Sequence, residues 1–339
     1  MSYRSICRWV FWLFAGTAIF AGCSAARIPV EPAGPAQAVQ TVAEAQKLPS
    51  ELLYVFGGRP KIKKPYIMVF DGQDKSRYPL PLYTIPPDGN GIYGLLAVDR
   101  HNYLFAEQFF ANSAKLYMFA PGQTKPSVTC SLPSAASAMY VSNGTLYLAQ
   151  VGNAIVELAE PLTSRDDCSH PLATLTDVHA QREGSTTLYA LVTDPQGDIF
   201  DTYQGGRYNY FYMDRFLAGS KTARPFANLH DAAATFYATS DRNDNLITNL
   251  ADYPSGQGDV LAVFPHGSKV PKLFHPIDDG AYCGVAIATN DTELFALKNY
   301  PSPSVYVYRY DAKHGKIGQV KRSFSGLWMY GQSIAVYSR

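Results

Sequence analysis

The side chains of this 339-residue chain that could do chemistry are few and dispersed. His101, His170, His179, His230, His266, His275 and His314 show neither a His-x-His nor a His-Glu-x-x-His spacing, so no imidazole pair is set up for a metal. A nucleophile elbow, a phosphate loop and a dinucleotide fingerprint are all missing. So are a haem-attachment pair and a copper set. No catalytic residue, metal or cofactor is therefore assigned. Asp241-Arg242-Asn243-Asp244-Asn245 sets oxygens at alternate positions as a calcium loop does. Its sixth position is Leu246 where such a loop needs Gly, so it reads as a polar turn. The most suggestive stretch runs from Asp201 to Arg215 and carries Tyr203, Arg207, Tyr208, Tyr210, Phe211 and Tyr212. Rings on a loop could stack on a sugar, a peptide or a flat ligand, with Arg207 adding charge. Alternate rings packing between neighbouring sheets is the competing reading, and both stay open.

What must position these residues is a repeat. Leu95-Leu96-Ala97-Val98-Asp99, a turn, then Leu104-Phe105-Ala106-Glu107 and Lys115-Leu116-Tyr117-Met118-Phe119 form one unit, with a fourth strand near Ser127 to Leu132. The same order recurs around Ser142, Asp194, Ser240 and Asn290, at successive steps of 43, 52, 46 and 50 residues. Units of that length with four short strands are propeller blades. The chain ends on Gln332 to Tyr337, a first strand with nothing after it. It opens on Leu53 to Phe56, Ile67 to Phe70 and Leu80 to Thr84, a second, third and fourth strand with no first. The fragments complete each other, which predicts an all-β, six-bladed propeller over residues 49–339, closed by one blade shared between the termini and leaving no open edge. A β-sandwich would not demand complementary ends.

In a propeller the connections after the second strands commonly line one axial face. The ends of those strands carry Glu107, Gln150, Tyr203 and Lys298. Together with Asp201, Arg207, Tyr208 and Tyr210 they form the expected ligand-binding set.

The first 48 residues read as an address. Arg4 and Arg8 precede the apolar run Trp9 to Phe20, long enough for a signal-peptide core and too short to span a bilayer comfortably. Phe20-Ala21-Gly22-Cys23 resembles a bacterial lipobox, although Phe20 stands where Leu is usual. Residues 1–22 are accordingly expected to be a lipoprotein signal peptide and Cys23 the lipidated residue. Residues 23–48, rich in Ala, Pro, Val and Gln, are expected to be a flexible tether. The mature chain would be exported and membrane-anchored, facing the periplasm or cell exterior, touching the membrane through its lipid alone.

Of the five cysteines, Cys130 and Cys168 fall in the last third of consecutive repeats and could pair across neighbouring outer strands in an oxidising compartment. Cys283 lies in an apolar run and reads as core. The formal charge of +1 falls to about −1 once Arg4 and Arg8 leave with the leader, so nothing steers the chain to nucleic acid. A solvated loop is the expected role of Lys61 to Lys64, and a monomer the expected state.

The strand pair Leu95 to Asp99 and Leu104 to Ala106, and the third-strand endings Phe119-Ala120-Pro121-Gly122 and Phe264-Pro265-His266-Gly267, resemble the bacterial NHL-repeat and gluconolactonase-like propellers. The resemblance spans Leu52 to Tyr337 and describes strands and turns. Some members of that group are lactone hydrolases with an axial metal, and one is a lyase that opens streptogramin lactones. Here Tyr93, Ser137, Thr187, Ala234, Tyr282 and Tyr330 stand where a Glu, Asn and Asp ligand set would be, so the catalytic carry-over fails. The expected function is a non-enzymatic binding or scaffold module for a protein, peptide or glycan; the alternative is a lactone-directed hydrolase or lyase.

Overall fold

A computed structural model of the chain describes residues 49–58, 65–73, 80–84, 94–110, 113–206, 210–230, 232, 234–235, 237–251, 259–276, 281–288, 290–300, 303–325, 327 and 333–338. The expected leader, Cys23 and tether (residues 1–48), Lys61 to Lys64, Arg207 and Tyr208 lie outside them.

The strands form six four-stranded antiparallel sheets. Blade 1 is β4(Gly94–Val98), β5(Leu104–Phe110), β6(Ser113–Phe119) and β7(Val128–Leu132). Blade 2 is β8(Ala136–Ser142), β9(Thr145–Gln150), β10(Ala154–Ala159) and β11(Ala173–Thr176). Blade 3 is β12(Leu188–Thr193), β13(Ile199–Gly205), β14(Tyr210–Phe216) and β15(Ala223–Leu229). Blade 4 is β16(Ala238–Ser240), β17(Leu246–Leu250), β18(Val260–Phe264) and β19(Lys272–Phe274), and blade 5 is β20(Ala281–Ile287), β21(Glu293–Tyr300), β22(Ser304–Asp311) and β23(Lys316–Phe324). Blade 6 joins the two ends of the chain. Its order is β24(Ser333–Ser338), β1(Glu51–Gly58), β2(Pro65–Asp71), β3(Leu80–Thr84), with Leu53 opposite Val336 and Val55 opposite Ile334. The fold is the six-bladed propeller with a shared closing blade that the repeat predicts.

Alternation along each strand feeds two interfaces at once, which is why the strands read as nearly continuous apolar runs. On β4, Leu95 and Ala97 join a core with blade 2, while Leu96 and Val98 join a core with blade 6. Among the described residues there are six such clusters, one for each junction of a six-membered ring. Each fully buried Leu, Phe or Tyr contributes about 1.5–3 kcal/mol, so closure adds a whole junction of such side chains.

The recurring acid at the end of the first strand turns the chain. Asp99 Oδ1 accepts from His101 N and Tyr103 N, and Asp241 Oδ1 from Asn243 N and Asn245 N. Asp194 Oδ1 accepts from Asp198 N at 2.9 Å. These are Asx-turns, in which a short side chain holds the backbone as it reverses. Asp241 Oδ2 also takes Asn245 Nδ2 and the Tyr310 hydroxyl, so the calcium-like run serves as a turn. Blade 2 instead turns on Asn143-Gly144, both left-handed at φ 50° and 78°.

The long step to Asp194 is taken up by a 3-10 turn, Arg165–Ser169, and a short helix α1(Val178–Arg182) capped by Asp177, whose Oδ1 accepts from His179 N and Ala180 N. Cys168 sits on that 3-10 turn and is bonded to Cys130 on β7, with 6.0 Å between their Cα atoms. The bond therefore joins an outer strand to a turn, not two outer strands as the spacing suggested. Cys283 is buried on β20.

Candidate functional site

A cavity of about 540 Å³ occupies the axis. All six first strands line it, through Leu96 to Val98, Met139 to Ser142, Thr193, Ala238 to Ser240, Val285 to Ile287 and Ile334 to Val336. Its mouth lies at the turns after those strands and carries Asp99, Glu160, Asp194, Asp241 and Asp291 against Arg100 and Arg242. The walls are mostly apolar and the rim is acidic.

Several rim acids have their oxygens engaged. Asp241 and Asp194 hold their own turns, and Asp291 Oδ2 accepts from Arg242 N at 3.1 Å and lies 3.6 Å from its Nε. Asp99 and Glu160 differ. Glu160 follows β10 and is anchored by its N–H to Gly144 O, which brings its carboxyl against that of Asp99 in blade 1. Asp99 Oδ2 and Glu160 Oε1 are both buried and receive no donor from any residue outside the pair. Burial, together with a shared hydrogen bond and repulsion from Asp99, lifts Glu160 to about 7, partly offset by Arg100.

The residues expected to bind ligand lie elsewhere. Antiparallel pairing sets Glu107 opposite Leu95, Gln150 opposite Ala136, Tyr203 opposite Leu188 and Lys298 opposite Tyr282, which puts the second-strand ends at the other end of the axis from the mouth. None of the six described members of the set lines the axial cavity. Glu107 is fully buried and accepts from Ala136 N of the next blade at 2.7 Å, and burial pushes its carboxyl well above the usual carboxylate range. Gln150 and Lys298 are buried, the latter with its Nζ 5.8 Å from the centre of the Tyr306 ring. Tyr203 stacks on Tyr212 between blades 2 and 3, while Phe211 packs toward blade 4 and Tyr210 stacks on His230 at 4.1 Å. The described rings of the aromatic stretch thus pack mainly in alternation between blades.

Asp201 belongs to a second group that the sequence did not show. It faces Asp214 across β13 and β14, and Asp177 from the cap of α1 closes on both. His179 Nδ1 lies 2.8 Å from Asp214 Oδ2 and 2.7 Å from the Tyr203 hydroxyl. Burial first, then Asp177 and Asp214, push Asp201 well above its ordinary range. Burial and Asp177 raise Asp214 to about 6 against the pull of His179. The group sits off the axis between blades 2 and 3. Among the described residues, no set of three or more His, Cys, Asp or Glu has the arrangement to hold a metal ion.

No family model and no curated protein sequence matches the chain. Solved structures do. TolB of Acinetobacter baumannii is similar over 86% of this chain and 67% of its own, at 10% identity and a TM-score of 0.56. Hydrazine synthase of Kuenenia stuttgartiensis is similar over 88% and 93%, at 11% identity and 0.53. A chain in the crystal structure of a mitotic checkpoint complex is similar over 94% and 92%, at 10% identity and 0.51. At these identities the likeness is one of fold.

Proposed function

We propose that this chain is an exported, lipid-anchored propeller that acts as a binding module, holding a protein, peptide or glycan partner at the axial mouth. The observation that carries the reading is the 540 Å³ cavity, to which every blade contributes a first strand and around whose mouth polar groups converge. Export is supported by Arg4, Arg8, the apolar run and Cys23, and by the Cys130–Cys168 bond, which suits an oxidising compartment. A place in an assembly is in keeping with the checkpoint-complex chain of similar fold. The strand pattern favours kinship with NHL-like propellers. A lactone-directed enzyme would want carboxylates converging on the axis beneath the mouth. The cluster in which all three carboxylates are buried and packed on one another, Asp177, Asp201 and Asp214, does not line the axial cavity.

The test is photo-crosslinking in the cells that make the protein. With the crosslinker in place of Arg100, Asn143 or Arg242 at the mouth, a discrete adduct is expected. With it in place of Ser113 or Val151, which are exposed at the opposite end, none is expected. Equal adducts at both ends, or none at any position, would overturn the proposal.

A further inference from the structure

We propose that the axial mouth seats a lysine or arginine side chain carried on an extended segment of a partner protein, with the Asp99–Glu160 carboxyl pair as its acceptor. This rests on the binding-module reading and names the chemistry of its ligand. Two features meet at this place. One is a cavity far larger than a water molecule, about 540 Å³, open at the mouth and wide enough for a side chain and its flanking backbone. The other is Asp99, which is 6% exposed, lines that cavity, and leaves Oδ2 without a donor from any residue outside the pair after Oδ1 has held the turn. Glu160 Oε1, beside it, is equally bare.

A buried carboxylate oxygen without a donor is costly, and two facing each other cost more unless a proton or a cation sits between them. An ammonium or guanidinium supplies several donors and the opposite charge together, and guanidinium can span both carboxylates. The other charged groups at the mouth reinforce the choice. Asp194, Asp241 and Asp291 add negative charge, Arg242 is paired with Asp291, and Arg100 donates to His101 Nε2 at 3.1 Å. The apolar first-strand walls behind the pair would take the aliphatic stem of the same side chain.

The arrangement is also sensitive to pH. Glu160 is held to about 7 by burial and by Asp99, with Arg100 opposing, so its carboxyl carries a proton below neutrality. A cation displaces it, and affinity therefore rises with pH through this range.

The experiment uses the full chain and a fluorescein-labelled, end-capped arginine–glycine repeat peptide, followed by fluorescence anisotropy. A glutamate–glycine peptide is the charge control and Asp166→Asn the remote-acid control. Glu160→Gln should weaken the peptide by about tenfold at pH 8, with an unchanged circular-dichroism melt, and Asp166→Asn should not. Wild-type affinity should fall between pH 8 and pH 6, and Glu160→Gln should flatten that profile. The proposal is overturned if Glu160→Gln behaves like Asp166→Asn, if the glutamate peptide binds as well, or if the wild-type profile is flat. Free spermidine displacing the peptide at equal concentration would overturn the extended-segment part. A mouth-specific photo-adduct with a partner lacking basic residues would sink this inference while leaving the binding-module reading intact.

Discussion

Arg322→Leu should lower the unfolding free energy by about 3–5 kcal/mol, the cost of removing one partner from a buried charge network. The Arg322 side chain is 4% exposed and belongs to β23 of blade 5. Its Nη2 donates to Glu51 Oε1 on β1 at 2.8 Å, its Nε to Gly72 O at 2.6 Å, and its Nη1 to Glu293 Oε1 at 2.9 Å, with a further contact to Glu293 Oε2. One guanidinium therefore ties the last whole blade to the blade that closes the ring. Burial, followed by repulsion from Glu293, already lifts Glu51 to about 7 in spite of Arg322. Glu293, though buried, is kept below its ordinary range by hydrogen bonds from Arg322 and Lys321. Without Arg322 both carboxyls climb, and a proton can occupy the site at lower pH. The deficit should be smaller at pH 5 and grow as pH rises through 7, where Glu51 ionises in the parent but is still protonated in the variant. Urea unfolding of variant and parent at pH 8 and pH 5 checks both parts. A deficit under about 1 kcal/mol, or one independent of pH, would show that the network does not secure the closure.

Asp201→Asn should act in the opposite direction and stabilise the fold. Asp201 is fully buried, neither carboxylate oxygen has a donor, and it shares its space with Asp177 and Asp214. A carboxyl whose folded value is raised contributes stability that is present below its unfolded value, 3.8, and is lost as pH rises through the folded value. Asparagine stays neutral at every pH, and its amide can donate to the bare Asp177 Oδ2 or Asp214 Oδ1. The variant should exceed the parent by about 1–3 kcal/mol at pH 8, with the difference vanishing below pH 4. Denaturant melts across that range measure it. A variant less stable than the parent at pH 8 would mean that the ionised carboxylate is held by a partner, contrary to the account of an uncompensated buried acid.

The fold was open to sequence reasoning because each blade repeats one pattern under one constraint. Strands such as Leu95 to Val98 must be apolar on both faces to serve two junctions, and the acid closing them must hold a turn. The complementary fragments at Leu53 and Ile334 made closure legible as well. The site was not legible in the same way. Polarity at the second-strand ends pointed to Glu107, Gln150, Tyr203 and Lys298, yet all four are buried away from the axial cavity, Glu107 accepting from Ala136 N of the next blade and Tyr203 meeting His179 between blades 2 and 3. Asp99 and Glu160, or Asp177, Asp201 and Asp214, come together only through packing of one blade on the next, which no linear spacing records. The usable signal was the polar residue that closes the first strand of each repeat, because the turns that follow those strands ring the mouth.

The axial mouth exists only if six first strands surround one axis, and so only if β24 completes blade 6. Native-state hydrogen exchange of the full chain tests that closure most directly. Amides of Ser333–Ser338 and of the paired Leu52 to Phe56 should exchange only through global unfolding, with the same opening free energy as the central strand β5. Exchange of the Ser333–Ser338 amides orders of magnitude faster than β5 would contradict it, since the ring would then stand open at the mouth.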